Sequence, residues 1–257
     1  MRQIDRLETI LKAAVLGGLG LMFYAKLSDG TLSFYINQRF MWLSFVAVLL
    51  LAVLALTLVY RLIERRASAE ELHDHDESHA QAGHEHGHKL TWSGVAFLAL
   101  PMLLGLLVPA RPLGASAIAN RGIGLTAPDR PGSATVAQRA VTGPRNVLDW
   151  LREFAGNADP VAFKGQAVDV VGFVYRDPRN SNEQFWVSRF TISCCVADAS
   201  AIGLLVQTAQ AADLKNDGWV QVTGKLDVGE FAGEKLAVIV PDKIVPVDQP
   251  QNPYLYP

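Results

Sequence analysis

The sequence predicts a protein that is part membrane and part water-soluble, with about three N-terminal transmembrane α-helices followed by a C-terminal, mainly-β, OB-like barrel domain. Three observations lead there. Half of the 257 residues are hydrophobic and 19% are charged, too apolar for an ordinary soluble chain and too polar for a pure helical bundle. Uncharged runs of span length crowd the first 110 residues. From Val161 the pattern turns to short alternating strands separated by turn residues. The expected division is a membrane region at 1–110, a flexible linker at 111–145, and a β domain with a short N-terminal helix at 146–257.

Lys12 and Lys26 enclose thirteen uncharged residues, short of the roughly 20 that a span needs. Both lysines can snorkel toward the interfaces, which lengthens the span to residues 8–28. Arg2 and Arg6 also fit the charged start of a signal peptide, but no small-x-small cleavage site follows, so a retained helix is expected. Phe40 to Tyr60 holds twenty-one residues without a charge. At about 1.5 Å each they cover about 31 Å, the thickness of the hydrocarbon core, and give a second span at 40–60. Leu90 to Ala110 gives a third, charge-free over another twenty-one residues. Trp92 stands near its interface, and Pro101 inside it is tolerated in a membrane helix as a kink.

Arg2, Arg6, Lys12, Arg61, Arg65, Arg66 and Lys89 flank the N-terminus and second loop, against Lys26 and Arg39 in the first loop and Arg111 after the third span. This bias places the N-terminus and second loop in the cytoplasm. Three spans then put the C-terminal domain outside, in a multi-pass protein of the plasma (inner) membrane. The second loop, 67–89, contains all six histidines: His73, His75, His79, His84, His86 and His88. Imidazoles interleaved with carboxylates are ligands for zinc, nickel or copper. A flexible tract offers interchangeable donors rather than one fixed tetrahedron, so divalent-metal binding of modest selectivity is expected. The plainer reading is a solvated polar linker.

Pro, Gly, Ala and Ser dominate Arg111 to Gly143 without a sustained period, which reads as an exposed linker. Arg121-Gly-Ile-Gly124 has neither a strand before it nor a third glycine, and is a poor nucleotide motif. Asn146 can cap a helix that puts Val147, Leu148, Leu151 and Phe154 on one face. Candidate strands follow at Gln166–Tyr175, Gln184–Ser193, Ala201–Gln207, Trp219–Leu226 and Leu236–Val245, with a short helix between the third and fourth. That is the element order of an OB fold; a small open β-sandwich is the alternative. The Pro-rich tail from Gln249 to Pro257 is not expected to continue the sheet. Phe185, Trp186 and Phe190 could stack bases, but at strand spacing they read as packing residues. With a formal net charge of −2 and no basic groove, no nucleic-acid partner is expected.

Cys194 and Cys195 are the two cysteines of the chain. In an extended strand they would point to opposite faces. Val196-Ala-Asp-Ala-Ser200 supplies the small residues and the Asp of a turn, which lets both thiols and the Asp198 carboxylate converge. Such a set suits zinc, another soft or borderline metal, or a trivalent metalloid, with Asp198 as third ligand or as an acceptor behind the ligands. Arg189, if close, would lower a thiol pKa. Four ligands are usual, and Asp169, Asp177 or a partner's side chain are the candidate additional donors. Two other readings stand beside this one. One thiol sits in the barrel core and the other lines the turn, or the two form a redox pair, disfavoured by the strain of bridging neighbours. All histidines lie between residues 73 and 88, a span away from the β domain, so no Ser/His/Asp arrangement forms there and a non-enzyme is expected.

Phe163-Lys-Gly-Gln166, Val171-Gly-Phe-Val-Tyr-Arg176, Ser188-Arg-Phe-Thr-Ile-Ser-Cys-Cys-Val-Ala-Asp198, Gly203-Leu-Leu-Val206 and Asn252-Pro-Tyr-Leu-Tyr-Pro257 together resemble the YcgQ-type family of bacterial membrane proteins. Its Arg-Phe-x-x-x-Cys-Cys-x-x-Asp signature falls on Arg189, Phe190, Cys194, Cys195 and Asp198. The resemblance implies a membrane-anchored protein often encoded beside a predicted permease and working with it; it implies no substrate and no catalytic mechanism. The expected function is an accessory subunit of a transport system, seated in the lipid bilayer beside a permease subunit and handling a metal or metalloid ion. The alternative is an envelope structural or assembly protein whose β domain binds another protein and whose cysteines are structural.

Overall fold

The structure is a computed structural model that describes residues 2–71, 92–125 and 144–257. The chain divides into two compact units, Met1–Leu32 with Gln38–Ala110, and Ser33–Asn37 with Arg111–Pro257. The His-rich tract, residues 73–88, lies outside the described residues.

The first unit contains α1 (Arg2–Ser28), α2 (Met41–Glu71) and α3 (Trp92–Leu107). Leu7–Ser28 in α1, and Gln38–Glu64, which runs from a 3-10 turn at Gln38–Phe40 into α2, are long and apolar enough to cross a membrane. Leu21, Trp42, Phe45, Leu49 and Leu56 stand exposed along these helices, a display of apolar surface far beyond what water tolerates on a monomer. Lys12, near the start of the first apolar segment, is paired with Glu8 at 2.7 Å one turn away. α3 is described over 16 residues and has Pro101 inside it. α1 packs on both α2 and α3. A Cβ on Gly18 would meet Met102 Sδ at 2.7 Å and one on Gly105 would meet Met22 Sδ at 2.6 Å, so α1 and α3 each seat a methionine on a glycine of the other, the close approach that small residues permit between helices.

The second unit is a mixed sheet of β1 (Ala167–Tyr175), β2 (Gln184–Thr191), β3 (Ser200–Gln207), β4 (Trp219–Phe231), β5 (Glu234–Pro246) and β6 (Tyr254–Leu255). The strand order is β1-β4-β5-β3-β2-β6, and β1 also pairs with β2, so the first five strands follow one another around a closed circuit. β3 runs parallel to β5, and β6 parallel to β2; the other pairings are antiparallel. β4 shifts register at Thr223/Gly224, where a Cβ on Gly224 would collide with the Val240 carbonyl; glycine is what allows the long β4–β5 hairpin to bend there. The five main strands agree with those expected to within one or two residues at most ends, while β4 runs five residues further. Ala209–Asp213 forms a short 3-10 turn between β3 and β4.

Two apolar clusters cover the two faces of the sheet. The first joins Val168, Val170, Phe185, Val187 and Val222 to α5 (Val147–Gly156), whose Val147, Leu148, Trp150 and Leu151 are buried and whose Phe154 packs against them. Asn146 starts α5 with a capping box, accepting from the Leu148 and Asp149 N–H groups while Asp149 accepts from the Asn146 N–H. The second joins Phe173, Trp186, Phe190, Leu205 and Val238 to Ala115, Ile118 and Tyr254. Because both faces are covered, β2 is buried at seven of its eight positions, and Phe185, Trp186 and Phe190 are core residues.

Two expectations change here. Part of the segment 111–145 is structured: α4 (Ala115–Arg121) buries Ala115 and Ile118, and Gly124 bridges to Ile202 of β3. Seven residues are too few for a hydrophobic period to register, so composition alone pointed to a linker. The tail also does not leave the sheet. Tyr254 and Leu255 pair with Phe190 and Thr191 as β6, since Pro253 stands just before the strand, where a missing N–H costs the ladder nothing.

Candidate functional site

β2 delivers the chain to Thr191 and β3 takes it away from Ser200, and between them the backbone turns sharply at Ser193–Cys195 and enters a 3-10 turn at Val196–Asp198. Asp198 organises the turn from inside. Its carboxylate accepts from the N–H of Ser193 at 2.9 Å, of Cys194 at 2.7 Å and of Cys195 at 3.4 Å. With the strand broken there, adjacent side chains are no longer forced to opposite faces. The two sulfurs lie 3.7 Å apart, and both sulfurs and the Asp198 carboxylate lie within 4.8 Å of one another. Among the described residues, this is where metal-ligating side chains converge.

The opposite polarity of the turn is satisfied from far away in the sequence. Asn37 donates from Nδ2 to the Ser193 carbonyl at 2.8 Å and the Ile192 carbonyl at 3.4 Å, and from its backbone N–H to the Cys194 carbonyl at 3.0 Å. Ile36 forms a β-bridge with Cys195, and the Val196 N–H donates to the Tyr35 carbonyl at 2.9 Å. The connection between α1 and α2 thus reaches the turn through one isolated bridge at Ile36, just after a 3-10 turn at Thr31–Phe34, and Ser33–Asn37 falls in the same unit as the β domain. On the other side, Arg121 donates to the Val196 and Ala199 carbonyls. The Tyr254 hydroxyl closes the assembly, accepting from the Leu113 N–H at 2.9 Å and donating to the Phe34 carbonyl at 3.1 Å.

Both thiols are free, Cys194 exposed and Cys195 half-buried. Neither sits in the apolar core, which removes the reading in which one of them is a small hydrophobe of the interior. Hydrogen bonding to Asp198, then to Cys195, pushes the Cys194 thiol up to about 11. At neutral pH it is protonated and a weak nucleophile, unless a bound cation displaces the proton. Burial pulls the Asp198 carboxyl upward, but the hydrogen bonds from the Cys194 thiol and the three backbone N–H groups together outweigh it and hold the pKa below the ordinary value.

The signature arginine serves the fold. Arg189 donates to the carbonyls of Pro253, Asn252 and Val171 and stacks over Trp219 at 5.0 Å. Burial lowers its guanidinium to about 10, which leaves it charged at neutral pH. It is not among the groups that set the Cys194 thiol; its charge holds the C-terminal tail instead. Phe190 stacks on Phe173 at 5.8 Å inside the core. The two suggested extra donors are elsewhere: Asp169 accepts from Gln221 at 2.7 Å, and Asp177 is paired with Arg179 at 2.7 Å in the β1–β2 turn. Sequence reasoning found Cys194, Cys195 and Asp198, and missed Asn37, Tyr35, Ile36 and Tyr254. The sequence signals for the missed group were that the first loop was expected on the same side of the membrane as the β domain, and that Tyr254 stands in the Asn252–Pro257 motif.

The comparisons with known proteins cover both units. A family described as the DUF1980 N-terminal domain matches residues 11–124, and one described as the DUF1980 C-terminal domain matches residues 138–257. A Streptococcus mutans protein named as a subunit of a two-component membrane permease complex is 26% identical over 276 residues, covering 93% of this chain and 96% of that protein. The UPF0703 protein YcgQ of Bacillus subtilis is 25% identical over 287 residues, covering 96% of this chain and 99% of that protein.

Proposed function

This chain belongs to the YcgQ-type DUF1980 family, and on that premise we propose that it is the accessory subunit of a two-part membrane transport system, handling a metal or metalloid ion at Cys194, Cys195 and Asp198. The observation that carries the ion-handling part is the 3.7 Å separation of the sulfurs. Two thiolates at about 2.3 Å from a tetrahedral zinc stand roughly 3.7–3.8 Å apart. Turn geometry set by Asp198 and Asn37 therefore holds the sulfurs where a metal needs them. Two thiolates and one carboxylate leave a closed structural site one ligand short. An open position suits an ion that is received and passed on, with the permease partner or the ion's own ligand filling it. Because Cys194 is protonated until a cation arrives, binding releases protons and weakens as pH falls. We read the His-rich tract as a second, less selective collecting point on the cytoplasmic side, and the closed five-strand circuit as an OB-like barrel.

Chain connectivity supports three membrane spans in this reading. Ser33–Asn37 and Arg111–Pro257 form one unit, so they share a side of the membrane. The chain between them must cross an even number of times. α2 provides one crossing by length, and α3 is the candidate for the other. The positive-inside bias then puts the shared side outside.

The test is zinc and copper(I) binding by the full chain in detergent under reducing conditions, beside the Cys194→Ser/Cys195→Ser variant. Loss in the variant of one tightly bound equivalent, with the weaker binding of the His-rich tract kept and an unchanged circular dichroism spectrum, is the expected result. Equal affinity in both proteins sinks the site, and binding by neither moves the domain to a purely protein-contact role. The full chain is needed because residues 146–257 alone lack Asn37, Arg121 and Leu113.

A further inference from the structure

We infer that Asn37, in the connection between α1 and α2, is the positioning residue of the dithiol site, and that the site is built jointly by this connection and the β domain. The dithiol turn exposes three consecutive N–H groups, of Ser193, Cys194 and Cys195, and two consecutive carbonyls, of Ile192 and Ser193, whose partners are side chains, because β2 has ended and β3 has not begun. Asp198 accepts from the N–H groups of Ser193, Cys194 and Cys195. The Asn37 side chain donates to the carbonyls of Ile192 and Ser193, and its backbone N–H donates to that of Cys194. The two residues are complementary in polarity: a carboxylate can only accept and a side-chain amide nitrogen only donates. Neither can do the work of the other, and each alone leaves half of the turn unsatisfied.

Burial makes the clamp rigid. Asn37 is only 8% exposed, and the two residues before it are fastened to the turn by the Ile36–Cys195 bridge and the Val196–Tyr35 hydrogen bond. The Cys194 thiol is hydrogen-bonded to Asp198 and Cys195, both members of the same turn, so the spacing of the sulfurs depends on the backbone of that turn. Asp198 is local and would accompany the cysteines in any isolated peptide. Asn37 arrives from 156 residues away, directly between the two helices that enter the membrane.

The inference rests on the site reading above but is tested without its ligand. Phenylarsine oxide condenses with two thiols held close together: two As–S bonds form, and the arsenic oxygen leaves as water with both thiol protons. The full chain in detergent should chelate one such molecule through Cys194 and Cys195. Asn37→Ala, which removes the side-chain donors, should weaken this chelation by about ten-fold, and Asn37→Asp, which faces the carbonyls with an acceptor, by more. Asn37→Gln, which keeps the amide, should recover part of the loss. A monofunctional maleimide should still add to both cysteines in every variant, because it does not require them to be held together. Chelation within about two-fold of the wild type in both Asn37→Ala and Asn37→Asp overturns the inference, as does failure of the wild type to chelate, or a loss in Asn37→Gln as large as in Asn37→Asp. A chain that shows the Asn37 dependence yet binds neither zinc nor copper(I) keeps this inference and loses the metal reading.

Discussion

A carboxylate three residues from a cysteine pair does two things to it. Asp198 gathers the backbone N–H groups that orient the sulfurs, and through its hydrogen bond it holds the proton on Cys194. Asp198→Asn should therefore bring the Cys194 thiol down from about 11 toward its ordinary value. Alkylation at a fixed pH below that value should accelerate by about ten-fold; a pH–rate profile of maleimide addition checks this, and an unmoved profile rejects it. The stability consequences have opposite signs. The raised Cys194 pKa gives a contribution that is complete below the ordinary thiol range and is lost as pH rises through about 11. The lowered Asp198 pKa gives one that is present above the ordinary carboxylate range and is lost as pH falls through the depressed value. Melting temperature should thus fall at both extremes, and less steeply at the alkaline end in Asp198→Asn. The cysteine–aspartate convergence was legible because a strand with adjacent thiols followed by small residues has to turn. The role of Arg189 was not, since the tail carbonyls that capture its guanidinium come from Asn252 and Pro253, more than sixty residues on.

Elements were legible where their own side chains determine them. The Asn146 cap and the apolar face of α5 are local facts, as are the main strands with their alternating or continuously apolar runs. α4 and β6 escaped because each is short and owes its shape to a partner. Tyr254 shows the dependence most plainly: its hydroxyl ties β6 to Leu113 ahead of α4 and to Phe34 ahead of the Asn37 clamp. Tyr254→Phe keeps the ring in the second apolar cluster and removes only this tie. It should cost about 1–3 kcal/mol, read as a lowered midpoint of thermal unfolding, with faster amide hydrogen exchange at Leu113. An unchanged midpoint with unchanged exchange at that amide would show that the three segments are held together by other contacts.

The whole molecule is defined by which segments share a side of the membrane. If Ser33–Asn37 and the β domain lie together outside, then in a Cys194→Ser/Cys195→Ser background Asp29→Cys and Asp242→Cys should both react with a membrane-impermeant maleimide in intact cells. Ser78→Cys, in the His-rich tract, should react only after lysis. Labelling of Asp29→Cys without Asp242→Cys would break the three-span arrangement. The amino-acid sequence by itself determined the apolar N-terminal helices, the β character of the C-terminal half, the family and the convergence of Cys194, Cys195 and Asp198. All of these are read from composition, local period or short motifs, because burial in lipid or in a sheet acts on neighbouring residues. Only the tertiary structure decided that Arg189 clamps the tail, that α4 and β6 complete the second apolar cluster, and that Asn37 holds the dithiol turn. The physical reason is that a backbone carbonyl left over at a strand end carries no mark of its donor. That donor is chosen by how the closed sheet brings distant segments to the same edge, and here it comes from 156 residues earlier in the chain.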